Sequence, residues 1–427
     1  MADSDYLRSV RAQYEDFPYP PRDPADERNR LIPTHIDLLA KINHFCYAGG
    51  RDFRKNFRAL VAGAGTGDSV IYLAEQLRST NAHIVYLDIS QASMAVAQER
   101  AKIRKLSNIE WENASILDLP KLGIAPFDYI NCCGVLHHLA NPDAGLKALE
   151  AVLAPGGAMG LMVYGTHGRV GVYQMQELLR RLNGDEPDMR VRIAEARALL
   201  EQAPPTNWFK RSESKHDDHI AFGDAGLYDL LLHSQDRAYT VDECYEFVEQ
   251  AGMRLSSFAY LPYLYKPETF LYNPALIERL AQRTRREREA IAELLSGKLA
   301  RHFFFAAREG NTNASLSDAS LIPFFRSREA GDTIRADIAA DGASFDISTP
   351  EAVFSSQATP LKRILFELID GRRTIGEVRT ELVTRLRSKN ALPAPVDVAR
   401  ELAEILDLLV QGDLLFLRTR GSFIPEM

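Results

Sequence analysis

Gly63, Gly65 and Gly67 stand at alternate positions directly before Asp68, and a further acid, Asp88, closes an apolar run 21 residues after Gly67 (88 − 67). Glycine at such spacing permits left-handed backbone angles and lets the main chain approach a ligand closely. An acid about 20 residues beyond a glycine turn is placed to accept hydrogen bonds from ribose hydroxyls. A helix cap is the plainer role for Asp88, but Ser90 can serve as that cap. A dinucleotide fingerprint would put its third glycine one residue later. Here Asp68 holds that place, where an anion would repel a pyrophosphate and suit a ligand bearing a cationic amino group. The expected ligand contacts are Gly63, Ala64, Gly65, Gly67 and Asp68 in the turn, with Asp88 and Ile89 after it. Ser115, Ile116 and Leu117 follow the third strand, and Cys132 lies on the fourth.

A second group of reactive side chains follows the fourth strand in Asn131-Cys132-Cys133-Gly134-Val135-Leu136-His137-His138. Ligands of open α/β sheets lie at the carboxyl ends of strands, so this segment is where a bound ligand would meet a second reactant. His137, Tyr164, His233 and Tyr239 are the candidate catalytic residues, with Arg169, Asp236 and Arg237 facing the same space. Tyr14 and Tyr19, in the stretch Tyr14-Glu15-Asp16-Phe17-Pro18-Tyr19-Pro20-Pro21, are read either as a clasp on the surface or as a lid. The adjacent His137 and His138 have no carboxylate or cysteine at ligand spacing, so no metal is expected there. His216-Asp217-Asp218-His219 imitates a metal motif but sits in a hydrophilic stretch and is read as solvated.

These residues need an alternating framework to hold them. Short apolar runs at Arg58–Ala62, Ile84–Asp88, Ile109–Asn113, Phe127–Cys132 and Ala158–Tyr164 alternate with amphipathic stretches at Ser69–Leu77, Ser93–Leu106 and Ala144–Leu153. Strand and helix in alternation predict a doubly wound, mostly parallel sheet. Residues 1–56 form a helical and aromatic segment, with a second helix expected over Thr34–Tyr47. The α/β domain spans 57–309 and carries a helical cap insertion at about 166–253. Within the cap, helices are expected at Tyr173–Leu182 and Met189–Gln202, then a polar loop at Asn207–His219. Thr240 and Glu243 form a capping box. Strands at Met253–Leu261 and His302–Ala307 close the sheet, with one arginine-rich helix around Arg279–Leu299 between them. Residues 310–320 are a linker. Residues 321–427 read as helix, turn, helix, helix and strand, a small winged-helix-like accessory domain.

The chain of 427 residues has a formal net charge of −7, which disfavours nonspecific nucleic-acid binding. Four cysteines without C-x-x-C spacing fit a reducing compartment. No apolar h-region opens the chain and no run approaches the roughly 20 apolar residues of a membrane helix, so a cytoplasmic, membrane-free location is expected.

The motifs Val61-Ala62-Gly63-Ala64-Gly65-Thr66-Gly67-Asp68, Tyr86-Leu87-Asp88-Ile89-Ser90, Ser115-Ile116-Leu117-Asp118-Leu119-Pro120, Phe127-Asp128-Tyr129-Ile130, Gly134-Val135-Leu136-His137-His138-Leu139 and Leu153-Ala154-Pro155-Gly156-Gly157 occur in order. Together they resemble the motif series of class I S-adenosylmethionine (SAM)-dependent methyltransferases over about residues 57–165. Two positions depart from that family: Ala62 stands where an acid often precedes the first glycine, and Ser115 where Asp is common. The resemblance implies a Rossmann-like fold, SAM as cofactor, and methyl transfer to a small-molecule or protein acceptor. Leu368-Ile369-Asp370-Gly371-Arg372-Arg373-Thr374-Ile375 resembles the winged-helix-like relatives of the PqqD peptide chaperones, which implies a peptide or protein partner for the C-terminal unit. Two other readings remain open: a SAM-binding regulatory or scaffold protein without turnover, and a dinucleotide oxidoreductase, which Asp68 disfavours.

Overall fold

The computed structural model describes residues 2–124, 126–308, 313–339, 344–349, 353–388 and 395–425. Helix α1 (Ala2–Asp16) and α2 (Leu39–Cys46) precede strand β1 (Arg58–Ala62). Then follow α3 (Asp68–Gln76), β2 (His83–Asp88), α4 (Gln91–Arg104), β3 (Ile109–Asn113), β4 (Phe127–Cys133), α5 (Pro142–Ala151) and β5 (Leu153–Gly165). Strands β6 (Ala238–Tyr239), β7 (Arg254–Phe258) and β8 (Arg301–Ala307) complete the sheet. Its order is β3-β2-β1-β4-β5-β8-β7, with β6 beside β5. The first five strands run parallel, whereas β8 is antiparallel to both β5 and β7. This is the Rossmann-like architecture that the alternating pattern predicts.

Both faces of the sheet are buried, as a helix-covered parallel sheet requires. Ala59, Val61, Ile84, Tyr86 and Phe305 pack on one side; Leu60, Ala62, Val85, Leu87, Ile130 and Phe304 pack on the other. Neighbouring residues of one strand fall on opposite faces because the strand period is two. The cap keeps its own core of Val172, Met175, Leu179, Ile193, Phe209, Leu227, Tyr228 and Leu230.

The second N-terminal helix covers Leu39–Cys46 and not Thr34–Tyr47. Thr34 instead donates to Asp37, closing a turn that the preceding proline favours, and the backbone N–H of Leu39 donates to Gln76 Oε1 at 2.9 Å. The arginine-rich stretch is two helices, Pro274–Ala281 and Arg285–Ser296. Thr284 starts the second with a reciprocal capping box to Glu287, so the local hydrogen bonds favour a break where side-chain periodicity alone runs on. The polar loop of the cap is a series of short helices, among them Trp208–Ser212 and Asp218–Ala221.

Beyond 320, strand β9 (Ile322–Phe325) pairs with β12 (Leu415–Arg418), and β10 (Ser344–Ser348) forms a hairpin with β11 (Val353–Gln357). Part of the expected linker, 310–312, lies outside the described residues. Thr374 and Glu377 make the expected reciprocal cap. This small unit is fastened to the sheet domain through α2: buried Lys41 pairs with buried Asp413, and Leu417 N–H donates to His44 Nδ1 at 3.0 Å. No described helix is long and apolar enough to cross a membrane.

Candidate active site

The ends of β1, β2 and β4 open into a cavity of about 280 Å³, near the lower end of small-ligand sites. Its floor is the glycine turn. Gly63 has φ +70° and Gly65 φ +52°, angles that exclude most side chains. A Cβ on Gly63 would come within 2.3 Å of Val135, and one on Gly65 within 2.7 Å of the Tyr19 carbonyl. The glycine backbone therefore packs directly against these neighbours, and both residues line the cavity wall. Asp88 ends β2 on that wall and is 8% exposed. Its Oδ2 accepts Gly65 N–H and its Oδ1 accepts Ser90 N–H, each at 2.8 Å. Burial raises its pKa, with the backbone N–H groups of Ser90, Gly65 and Ile89 opposing the rise. A carboxylate offers about four acceptor positions, which leaves room for ribose hydroxyls. Ser90 is the cap of α4, so Asp88 is not needed for that role.

Gly63, Ala64, Gly65, Asp68, Asp88, Ile89, Ser115 and Ile116 all line the cavity. Gly67 caps α3 behind the turn, and Leu117 is not on the wall. Cys132 is fully buried in the core behind the sheet, while its neighbour Cys133 lines the cavity. Strand pleating decides between the two, since adjacent side chains leave β4 on opposite faces. Asp68 is not a lone anion. Arg22 grips it in a fork at 3.0 and 2.7 Å, and Arg100 donates to it at 2.8 Å. Burial opposes its ionisation, but the two arginines outweigh that and hold its pKa below the ordinary carboxylate value. The sequence argument from a free negative charge is corrected accordingly: the turn is electrically balanced by residues far away in the chain.

The far end of the cavity is built by β4, β5, α1 and the cap. Tyr164 lines it, with Arg169 3.6 Å above its ring. His138, not His137, reaches the wall. His137 is wholly buried, packed at 4.1 Å between ring centres on Tyr164, and burial and then His138 lower its pKa far below the usual value. The turn at Leu136–His138 leaves the two imidazoles in contact, ring centres 4.2 Å apart, with only the second on the cavity wall. His138 Nδ1 lies 2.8 Å from the Gln235 carbonyl, which can only accept, so this partner assigns the proton to Nδ1 and the lone pair to Nε2. His233 is buried behind His138, stacked at 3.8 Å. Tyr239, expected at the site, is fully buried beside Phe247 in the core, and neither Asp236 nor Arg237 lines the cavity.

Asp229 is the residue that the sequence reading missed. It lies on a single π-helical turn, Tyr228–Leu232, is 4% exposed and lines the cavity. Tyr14 donates to its Oδ1 at 3.2 Å and Tyr164 to its Oδ2 at 3.4 Å. No described lysine or arginine pairs with it. Burial raises its pKa, His138 opposes, and Asp218 and Asp236 add to the rise. The signal was present as a lone acid in the apolar run Tyr228-Asp229-Leu230-Leu231-Leu232. His216-Asp217-Asp218-His219 is not a solvated loop either: His216 is 4% exposed, and His216, Asp217 and Asp218 line the cavity. Burial, with Arg169 next, lowers the His216 pKa to about 4.

Potential ligand atoms of His138, Asp229 and His233 lie within 4.8 Å of one another, as do those of His137, His138 and Asp236. In the first group, His233 Nδ1 accepts the Gln235 N–H at 3.1 Å, which leaves the proton on Nε2, near the Tyr14 hydroxyl. An Nε2 that carries a proton is a donor, and this tautomer suits a hydrogen-bond chain better than an ion.

The N-terminal segment roofs both ends. Val10, Tyr14, Tyr19 and Pro20 line the cavity. Thr66 Oγ1 donates to the Pro20 carbonyl at 2.6 Å, and Tyr19 donates to Asp218 at 3.3 Å.

A family model described as a methyltransferase domain matches residues 60–159. An uncharacterised protein of a Synechococcus strain is 32% identical over 311 residues, covering 72% of this chain and 73% of that protein. A ubiquinone biosynthesis O-methyltransferase of Acinetobacter baylyi is 27% identical over 133 residues, 31% of this chain and 53% of its own length. The chain thus spans about half of that relative. The solved structure of PKMT2 from Rickettsia typhi in complex with AdoHcy superimposes with a TM-score of 0.63 at 14% identity, covering 91% of this chain and 76% of that one. That last likeness is one of fold.

Proposed function

The chain belongs to the class I SAM-dependent methyltransferase family, and from that premise we propose that its methyl acceptor is an amine held against Asp229, His138 and Tyr164. The carrying observation is Asp229, a buried carboxylate on the wall with no lysine or arginine partner among the described residues, His138 alone offsetting its burial among the charged groups. An isolated buried carboxylate is costly, and a ligand that arrives as an ammonium relieves it. Asp217 and Asp218 at the same end, and the rings of Tyr14, Tyr19 and Tyr164, suit the same cation. Three cations, Arg169, Lys215 and Arg301, also line the cavity, and Arg169 has Asp236 3.8 Å from its guanidinium.

The glycine turn, Asp88, Ile89, Ser115 and Ile116 are the residues that would hold SAM. Bound there, SAM supplies a methyl made electrophilic by its sulfonium, so that a neutral amine nitrogen gains the methyl while the carbon–sulfur bond breaks and leaves its electron pair on sulfur. The protein has two tasks beyond alignment. Asp229 takes the proton that the incoming ammonium must lose, and Tyr14 and Tyr164 keep its two oxygens aimed. His138, with its lone pair on Nε2, orients the amine beside them. The roof formed by α1 and the residues after it excludes water.

The test uses radiolabelled SAM with n-butylamine, n-butanol and butyrate as probe acceptors, followed by cell extract split into protein and small-molecule fractions. Label in the amine supports the reading. Label only in the alcohol or the acid overturns it. SAM bound one to one with no methyl lost to any fraction would make the chain a SAM-binding scaffold.

A further inference from the structure

We propose that Tyr14 is a positioning residue that couples occupation of the Asp88 site to the aim of Asp229, so that cofactor binds first and the acceptor site is completed only afterwards. The inference rests on the reading of Asp229 as the proton acceptor. A continuous set of hydrogen bonds joins the two carboxylates. Asp88 Oδ1 accepts Ser90 N–H at 2.8 Å; Ser90 Oγ donates to the Tyr14 carbonyl at 3.1 Å; the Tyr14 hydroxyl donates to Asp229 Oδ1 at 3.2 Å and lies 3.4 Å from His233 Nε2. Two residues just after Tyr14 are anchored to the two halves that it bridges. Glu15 accepts the backbone N–H groups of Gln91 and Ala92 at 2.7 and 3.0 Å, tying α1 to the start of α4 in the cofactor half. Phe17 stacks on Tyr228, one residue before Asp229 on the π-helical turn, with ring centres 5.9 Å apart.

Val10, Tyr14, Tyr19 and Pro20 all line the cavity, so a ligand in either half lies against this segment. A ligand in the Asp88 half gains contact area only when the segment is down, and in that position the Tyr14 hydroxyl meets Asp229. Coupling of this kind is reciprocal: whatever the cofactor does for the acceptor, the acceptor does for the cofactor. Burial, then Asp229, keep the Tyr14 phenol protonated, so it serves as the donor throughout the working range. The groups facing Asp229 are Tyr14 from α1 and Tyr19 after it, Tyr164 from β5, His138 after β4, and Asp218, His233 and Asp236 from the cap.

The experiment is hydrogen exchange on the full chain with and without S-adenosylhomocysteine, read in residues 8–22 and 226–234. At about 100 times its Kd this ligand stabilises the closed state so that exchange there slows by up to about 100-fold. Both segments are expected to be protected in the wild type. In Tyr14→Phe the first segment stays protected and residues 226–234 no longer respond. In the same variant the rate constant kcat with n-butylamine falls about tenfold or more and the acid limb of its pH profile moves, while the Kd for S-adenosylhomocysteine changes less than about threefold. Absence of protection over 8–22 overturns the coupling, as does a response of 226–234 in Tyr14→Phe equal to that of the wild type. Protection of both segments in the wild type and its loss over 226–234 in the variant, with no methyl transferred to butylamine, supports the coupling and sinks the amine assignment alone.

Discussion

Replacing Asp88 with alanine tests the cofactor assignment most directly. Gly65 and Ser90 each take one acceptor position of the side chain, and a carboxylate offers about four, so up to two ribose hydroxyls can be held by charged hydrogen bonds. Bonds to a charged group contribute about 1.5–3 kcal/mol each, together about 3–6 kcal/mol. At about 1.4 kcal/mol per decade, Asp88→Ala should raise the Kd for S-adenosylhomocysteine by about 10²- to 10⁴-fold. The same change frees two backbone donors at the glycine turn and β2 end, so folding stability should fall by about 1–3 kcal/mol as well. Calorimetric titration gives the first quantity, and thermal unfolding of the unliganded variant the second. Asp88→Asn separates them, since an amide keeps one acceptor for the turn but loses the charge. A folded Asp88→Ala variant that binds within about threefold of the wild type would refute the ribose assignment.

Asp229→Asn should leave S-adenosylhomocysteine affinity within about threefold and abolish the acid limb of the kcat/KM profile for n-butylamine. In the wild type that limb should lie above the ordinary carboxylate range, because burial raises the Asp229 pKa and activity is lost as pH falls through the raised value. His138→Ala should lower kcat with n-butylamine more than His137→Ala lowers it, because only His138 lines the cavity, whereas His137→Ala should cost more in thermal stability. Asp68 has its folded pKa lowered by Arg22 and Arg100, so its stabilisation is complete above about pH 4, near the unfolded value, and fades as pH falls through the folded one. Asp68→Asn should flatten that part of the melting-temperature profile. Lys41→Met leaves Asp413 buried, with only Arg326 at 3.8 Å, and should destabilise the chain by about 3–5 kcal/mol in urea titration.

Local pattern was enough to place the strands up to β5 within a few residues of their observed starts, apart from the earlier start of β5, because a strand buried on both faces writes itself as an apolar run between turn residues. The glycine turn and Asp88 were legible for a related reason: their geometry is dictated by neighbours within one strand–turn–helix unit. The break at Gln282–Thr284 and the short second helix were not, since capping and turn hydrogen bonds there compete with side-chain periodicity.

What the sequence determined by itself is the cofactor half: alternating elements, glycine turn and ribose acid, all held by local backbone geometry and strand period. The acceptor half was decided by tertiary structure. Pleating chose Cys133 over Cys132, a three-residue turn chose His138 over His137, and packing against α1 turned Asp229 from an apparent interruption of an apolar helix into a wall carboxylate. The same packing brought Arg22 and Arg100 onto Asp68 and cancelled its charge. Each of these depends on which remote side chain arrives at a given face, and spacing along one chain segment carries no information about that.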